Sequence, residues 1–392
     1  MGAERPRLGG RADPAFRRIG EVFAERLAGE ELGAAVCVVV DGRTVVDLWG
    51  GFVDRRRSVP WRRDTLVCCF SATKGMAALT VLDAVAEAGL DLDAPLHTHW
   101  PELVGEGRES ITLRHVLTHA AGLPGWRPAT AQAFSLTADA LFDTARMTRA
   151  LVSQEPFWPP GTRHGYHARS FGFLLDGILQ HAVGETVGER FARRFAGPRE
   201  VDFHIGLPAA EHARCSALAP APAGTRAPEG SADMLRAMND AASATAAAFS
   251  VPPTARGTHE SAAWRSASLP AMNGHGTARA LAGIYGTLAL DDGSLLPSSL
   301  LHAASTPQRE GPDEVLLQRS CFGLGFMCSR PSLSVGLGEA SFGHAGAGGS
   351  LAFADGDARV GFAFVMNRLR PGAVTGNASA MALVDALRGT LA

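Results

Sequence analysis

The stretch that decides the reading of this chain is Thr65-Leu66-Val67-Cys68-Cys69-Phe70-Ser71-Ala72-Thr73-Lys74-Gly75-Met76. Its first six residues are a short apolar run of strand character. A helical pattern then extends from Met76 to Ala88 and stops at Gly89, a residue suited to the left-handed turn that closes a helix. Ser71 and Lys74 stand at the junction. On a helix beginning near Ser71, residues three apart share one face. A serine hydroxyl is a poor nucleophile at its own pKa and needs a base within hydrogen-bond reach. An amine fills that role only when burial or a helix N-terminus lowers its pKa.

The composition singles out the same residue. Of 37 basic residues, 36 are arginine, and Lys74 is the one lysine. Arginine stays charged in a protein, whereas a buried lysine can lose its proton. The chain has 392 residues, of which 46% are hydrophobic and 19% charged, enough apolar material for a large core and one or two domains. A net charge of −2 and a pI near 6.7 supply no basic field for nucleic acid or an anionic membrane. The opening MGAERPRLGGRADPAF has no apolar h-region, and no apolar run approaches the ~18 residues of a membrane span. These features predict a soluble, cytoplasmic protein. Cys37, Cys68, Cys69, Cys215, Cys321 and Cys328 form no C-x-x-C pair and read as buried free thiols.

Outward from the central stretch, the pattern is strand-rich at both ends and helical between. Asp13 to Leu27 predicts an amphipathic helix, with Asp13 as N-cap and Pro14 in its first turn. Ala34–Val40, Asp41-Gly42 and Thr44–Trp49 read as a hairpin. Leu113–His119, Thr137–Val152 and Phe171–Val183 carry helical periodicity. Residues 208–230 and 239–262 are poor in large apolar side chains and form an excursion that is either a lid or a long loop. Thr277 caps a helix over Ala278–Leu288. Strands follow at Phe322–Met327, Ser341–His344, Gly349–Ala354 and Val360–Asn367, then a helix from Ala378 to Leu387. This order predicts an α/β (α+β) fold. An antiparallel sheet drawn from both termini (1–85 and 265–392) is flanked by helices, and a mainly helical domain is inserted at 86–264.

Two further segments carry candidate chemistry. Tyr166 follows Pro159-Pro160-Gly161-Thr162-Arg163-His164-Gly165, a turn-rich entry onto a helix from which a phenol can project into a cleft. Beside a cationic lysine its pKa would fall, and it could shuttle a proton. Gly343-His344-Ala345-Gly346-Ala347-Gly348-Gly349-Ser350 fails the dinucleotide fingerprint because Leu351 stands at the final glycine position. Its glycines do let a backbone approach a ligand. An exposed N–H there and that of Ser71 would make two halves of an oxyanion hole. G-x-S-x-G, H-E-x-x-H and the P-loop motif are absent. His97, His99, His115 and His119 have no supporting carboxylate or cysteine set, so no metal is expected.

Together these segments resemble the serine β-lactamase and penicillin-binding-protein superfamily, and most of all the class C-like family VIII carboxylesterases. DTLVCCFSATKG, ITLRHVLTHAAGLP, PPGTRHGYHARSFGFLLDGIL and FGHAGAGGSLAFADGDARVGFAFVMNR carry the resemblance, over positions 64 to 368. It implies that Ser71 is acylated, that Lys74 and Tyr166 share base and acid roles, and that the Ser71 and Ala347 N–H groups form the oxyanion hole. His344, Gly346 and Trp158 would contact substrate, with no cofactor. Two departures stand out. Ala168 occupies the position of an asparagine in β-lactamases, and His344 that of the lysine that helps bind a β-lactam carboxylate. Both turn the expectation toward ester chemistry. The implied partner is a small-molecule ester, with water, an amine or an alcohol as acceptor. Hydrolase, transacylase and non-catalytic ligand-binding relative all remain open at this point.

Overall fold

In the computed structural model, residues 8–371 other than 106, 223, 229 and 332, together with 377–392, are described. Residues 1–7 of the N-terminal stretch, and 223 and 229 of the excursion, lie outside them. The main sheet has nine strands: β1 Leu8–Ala12, β2 Gly33–Val40, β3 Arg43–Gly51, β7 Arg309–Pro312, β8 Arg319–Phe322, β9 Met327–Cys328, β10 Ser341–Ala345, β11 Leu351–Asp355 and β12 Val360–Met366. Their spatial order is β1-β3-β2-β12-β11-β10-β9-β8-β7, and every pairing is antiparallel. The two ends of the chain meet at β2 and β12, where Val38 opposes Phe362. A three-stranded sheet of β4 Val67–Cys68, β5 Phe203–His204 and β6 His275–Gly276 flanks the start of the central helix.

Alternation along the strands divides the core. Val36, Val38, Phe353, Phe362 and Phe364 face helices Arg17–Gly29 and Ala378–Leu391, meeting Ile19, Phe23, Leu383 and Leu387. Cys37, Val39, Ala352, Ala354, Ala363 and Val365 face the opposite way, onto Leu281, Ile284, Tyr285 and Leu288 of helix Ala278–Leu290. Period-two side-chain placement makes this division unavoidable once the register is set. Helix Thr73–Ala88 lies within the second layer, and its residues Thr73 to Val85 are all buried. That explains why its pattern is apolar all round rather than amphipathic. Gly89, at φ 64°, ends it as expected.

Several expectations are corrected. The predicted strand Phe322–Met327 is two strands, because Gly323 to Phe326 turn the chain, with Gly325 at φ 84°. The predicted helix Thr137–Val152 breaks at Asp143. A 3-10 turn, Ala138–Phe142, precedes helix Thr144–Val152, whose first turn Asp143 caps by accepting the Arg146 N–H. Asp13 makes no cap hydrogen bond; its carboxylate lies 3.1 Å from Arg43 instead. Strand β1 was not anticipated. Its glycines remove the alternation signal, and a Cβ on Gly9 would fall 2.4 Å from the Trp49 ring that covers it.

Candidate active site

The site is built on the turn before helix Thr73–Ala88. Cys69 donates to the Gly274 carbonyl at 2.8 Å, and the Gly274 N–H returns a bond to Thr73 Oγ1 at 2.8 Å. Thr73 Oγ1 also donates to the Phe70 carbonyl. Pinned in this way, Phe70 adopts φ 46°, a left-handed conformation that a bulky residue enters only under constraint. The turn presents Ser71, which is half-buried, at the head of the helix.

Lys74 is completely buried. Its Nζ lies 2.8 Å from the Ala168 carbonyl, 3.0 Å from the Ala271 carbonyl and 3.2 Å from Ser71 Oγ. Burial alone drives its pKa well below the usual 10.5. Once neutral, the amine keeps two N–H donors for the two carbonyls and gains a lone pair able to accept the serine proton.

Tyr166 lies against the same amine, with Nζ 4.7 Å from its ring centroid. Its pKa is raised by burial, with the neighbouring Ser71 hydroxyl acting in the opposite sense. The expected depression by Lys74 is therefore reversed. An amine held toward neutrality lends the phenol no cationic support, and desolvation of the phenolate dominates.

His344 also joins the site, its ring 5.9 Å from that of Tyr166. Nδ1 sits 2.6 Å from the Ala345 carbonyl, which can only accept, so the proton is on Nδ1 and Nε2 presents a bare lone pair. Burial pushes its pKa down to about 3. Gly346 packs directly on the Ser71 turn: an added Cβ would meet the Cys69 carbonyl oxygen at 2.1 Å. Ala347 is exposed in the following turn, and its N–H donates to no described group. Trp158 is buried against Gly165 and the His167 ring, in the apolar cluster behind Tyr166. Trp126 is core and donates to the Met147 carbonyl.

Sequence reasoning missed the residues that hold Tyr166. Asp313 is buried, and one of its carboxylate oxygens accepts the N–H groups of Tyr166, Val315 and Leu316 at 2.8–3.0 Å. Its other oxygen accepts from Ser320 Oγ at 2.8 Å, which in turn bonds His164. The Asp-x-Val turn chemistry at Asp313-Glu314-Val315 was the available signal. His119, considered only as a metal ligand, packs its ring 5.1 Å from Tyr166 and 4.4 Å from Phe322. Its Nδ1 accepts the His167 N–H. Ala248 and Phe249 of the excursion, and Met234 between its two stretches, pack in this cluster.

A serine and a buried lysine one turn apart, on a helix flanked by an antiparallel sheet from both termini, define the serine β-lactamase-like class. The chain belongs to the beta-lactamase family, whose model matches residues 19–386. The esterase/beta-lactamase LipL of Mycobacterium tuberculosis is 34% identical over 382 residues, 93% of this chain and 83% of that protein. A penicillin-binding-protein homolog from Caulobacter crescentus superposes with a TM-score of 0.86 at 34% identity, covering 98% of this chain and 100% of its own. A family VIII carboxylesterase gives the same TM-score at 32% identity and the same coverage. Among the described residues, no helix is long and apolar enough to cross a membrane.

Proposed function

We propose that the chain is a serine hydrolase that cleaves small carboxylic esters through an acyl-enzyme on Ser71. The observation that carries this reading is the enclosure of Lys74 Nζ by two carbonyls and the Ser71 hydroxyl. A neutral amine there accepts the serine proton as Oγ bonds to the ester carbonyl carbon. The N–H groups of Ser71 and Ala347 then receive the developing oxyanion. When the tetrahedral intermediate collapses, the ester C–O bond breaks and the alcohol leaves with a proton. Tyr166, kept protonated by burial, donates that proton and is restored by the lysine ammonium. Water repeats the sequence on the acyl-enzyme and releases the acid.

The names of the relatives, an esterase/beta-lactamase and a family VIII carboxylesterase, support ester chemistry. The neutral His344, where β-lactamases carry a lysine, argues against recognition of a β-lactam carboxylate. Labelling with a fluorophosphonate followed by peptide mass mapping tests the reading. A single adduct on Ser71, lost in Ser71→Ala, is expected. An adduct elsewhere, or ligand binding with no labelling and no turnover of any ester, overturns it.

A further inference from the structure

Arg169 follows the Ala168 whose carbonyl holds Lys74, and it precedes helix Ser170–Val183. A guanidinium has five N–H donors. Among the described residues Arg169 uses one, from Nη1 to the Pro252 carbonyl at 2.5 Å, and no carboxylate lies within ion-pair reach of it. The chain treats another enclosed guanidinium differently. Arg190, 1% exposed, is met by Asp83, Glu87 and Glu185.

Arg169 is partly open to solvent, yet burial lowers its pKa to about 10. It remains charged at neutral pH. Its charge helps hold the His259 pKa down to about 4, after burial. The His259 ring packs 5.4 Å from that of Phe70, the residue before the nucleophile. Arg169 thus follows directly on a residue that touches Lys74, and the His259 ring beside Phe70 feels its charge, so its segment borders the turn that presents Ser71. A guanidinium without a protein counter-charge is matched in geometry and charge by a carboxylate.

We propose that Arg169 is the anion-recognising residue of this site and that the preferred acyl donor is an ester bearing a carboxylate. This rests on the esterase reading above. The third motif offers a neutral imidazole at His344 rather than a cation, which leaves the anion contact to Arg169. The carboxylate is carried on either the acyl or the alcohol portion, and the substrates distinguish the two.

The test compares kcat/KM for 4-nitrophenyl hydrogen succinate and for 4-acetoxybenzoate, each against its methyl ester, in the full chain. The wild type is expected to favour the anionic member of at least one pair by about tenfold or more, consistent with a charge-assisted bidentate contact. In Arg169→Gln that ratio should fall by about tenfold, to near one, mainly through KM, and Arg169→Lys should keep part of it. Glutarate should inhibit the wild type competitively at concentrations where glutaramide does not. A wild type that favours neither anion, or a ratio in Arg169→Gln within about threefold of wild type, overturns the proposal. Fluorophosphonate labelling of Ser71 in Arg169→Gln separates the two failures. Labelling at the wild-type rate with an unchanged ratio sinks only the anion site, whereas absent labelling in the wild type sinks the esterase reading itself.

Discussion

Replacing Gly346 by alanine tests how tightly the two halves of the proposed oxyanion hole are joined. The new Cβ would lie 2.1 Å from the Cys69 carbonyl oxygen and 3.3 Å from the Ala72 nitrogen. Both obstacles are backbone, so neither can swing aside, and one of the turns must retreat by roughly 1 Å to reach van der Waals contact. The Ser71 N–H rides on one turn and the Ala347 N–H on the other, so the retreat opens the space between them. Losing one oxyanion donor costs about 10²–10³ in kcat, and overpacking costs about 1–3 kcal/mol of stability. Because the oxyanion exists only in the transition state, KM should change little. Steady-state kinetics on 4-nitrophenyl acetate and a calorimetric Tm measure the two effects. Gly356→Ala, where an added Cβ meets nothing within 4 Å, is the control. A folded Gly346→Ala enzyme with kcat within about threefold of wild type would refute the reasoning.

Lys74→Arg replaces the base with a permanently charged guanidinium, so ester turnover should drop by roughly 10³-fold or more; a loss under tenfold would remove Lys74 from its role. The acidic limb of the kcat/KM profile should report an amine titrating well below 10.5, with activity rising as the amine deprotonates. No histidine limb near 6–7 is expected from His167 or His344, which burial holds at about 4 and about 3. Stability follows the same sign. The Lys74 pKa is lower in the folded state, so the unfolded chain binds more protons, and this group's contribution rises with pH between its folded and unfolded values. Asp313→Ala leaves three backbone N–H groups without their acceptor and should cost about 3 kcal/mol or more, read by denaturant unfolding; Asp313→Asn, which can still accept them, should recover most of it. Supplying amines or alcohols with an activated ester should leave the free acid as the main product. If one amine diverts most of the flux at millimolar concentration, the chain is a transacylase.

The sequence made the proposed nucleophile and its proposed base legible as candidates, because their chemistry depends on neighbours three residues apart in the chain. It also exposed the main sheet, since β2, β3, β11 and β12 keep long apolar runs, and the hairpin turn Asp41-Gly42 announces itself. The groups that complete the site come from distant segments. The Ala168 and Ala271 carbonyls that enclose Lys74 are backbone atoms of a small residue, and no side-chain pattern marks them. The pKa direction of Tyr166 was misjudged for a related reason: adjacency to a lysine says nothing about whether that lysine carries its charge. Burial decides that, and burial is a property of the assembled fold. Asp313 lies 147 residues from Tyr166 in sequence, so its grip on that backbone appears only once β7 and β8 are placed.

The central claim is that a neutral Lys74 activates Ser71, and the composition offers a direct way to measure it. Lys74 is the one lysine in 392 residues, so protein labelled with [ε-13C]lysine gives one side-chain resonance that needs no assignment. Its chemical shift, followed from pH 5 to 11, reads the protonation state of the base itself. The account predicts a neutral amine through the pH range of full activity, with a midpoint well below 10.5 that coincides with the acidic limb of kcat/KM. A resonance that stays in the ammonium position up to about pH 10, in an enzyme that is already fully active at pH 8, would contradict it.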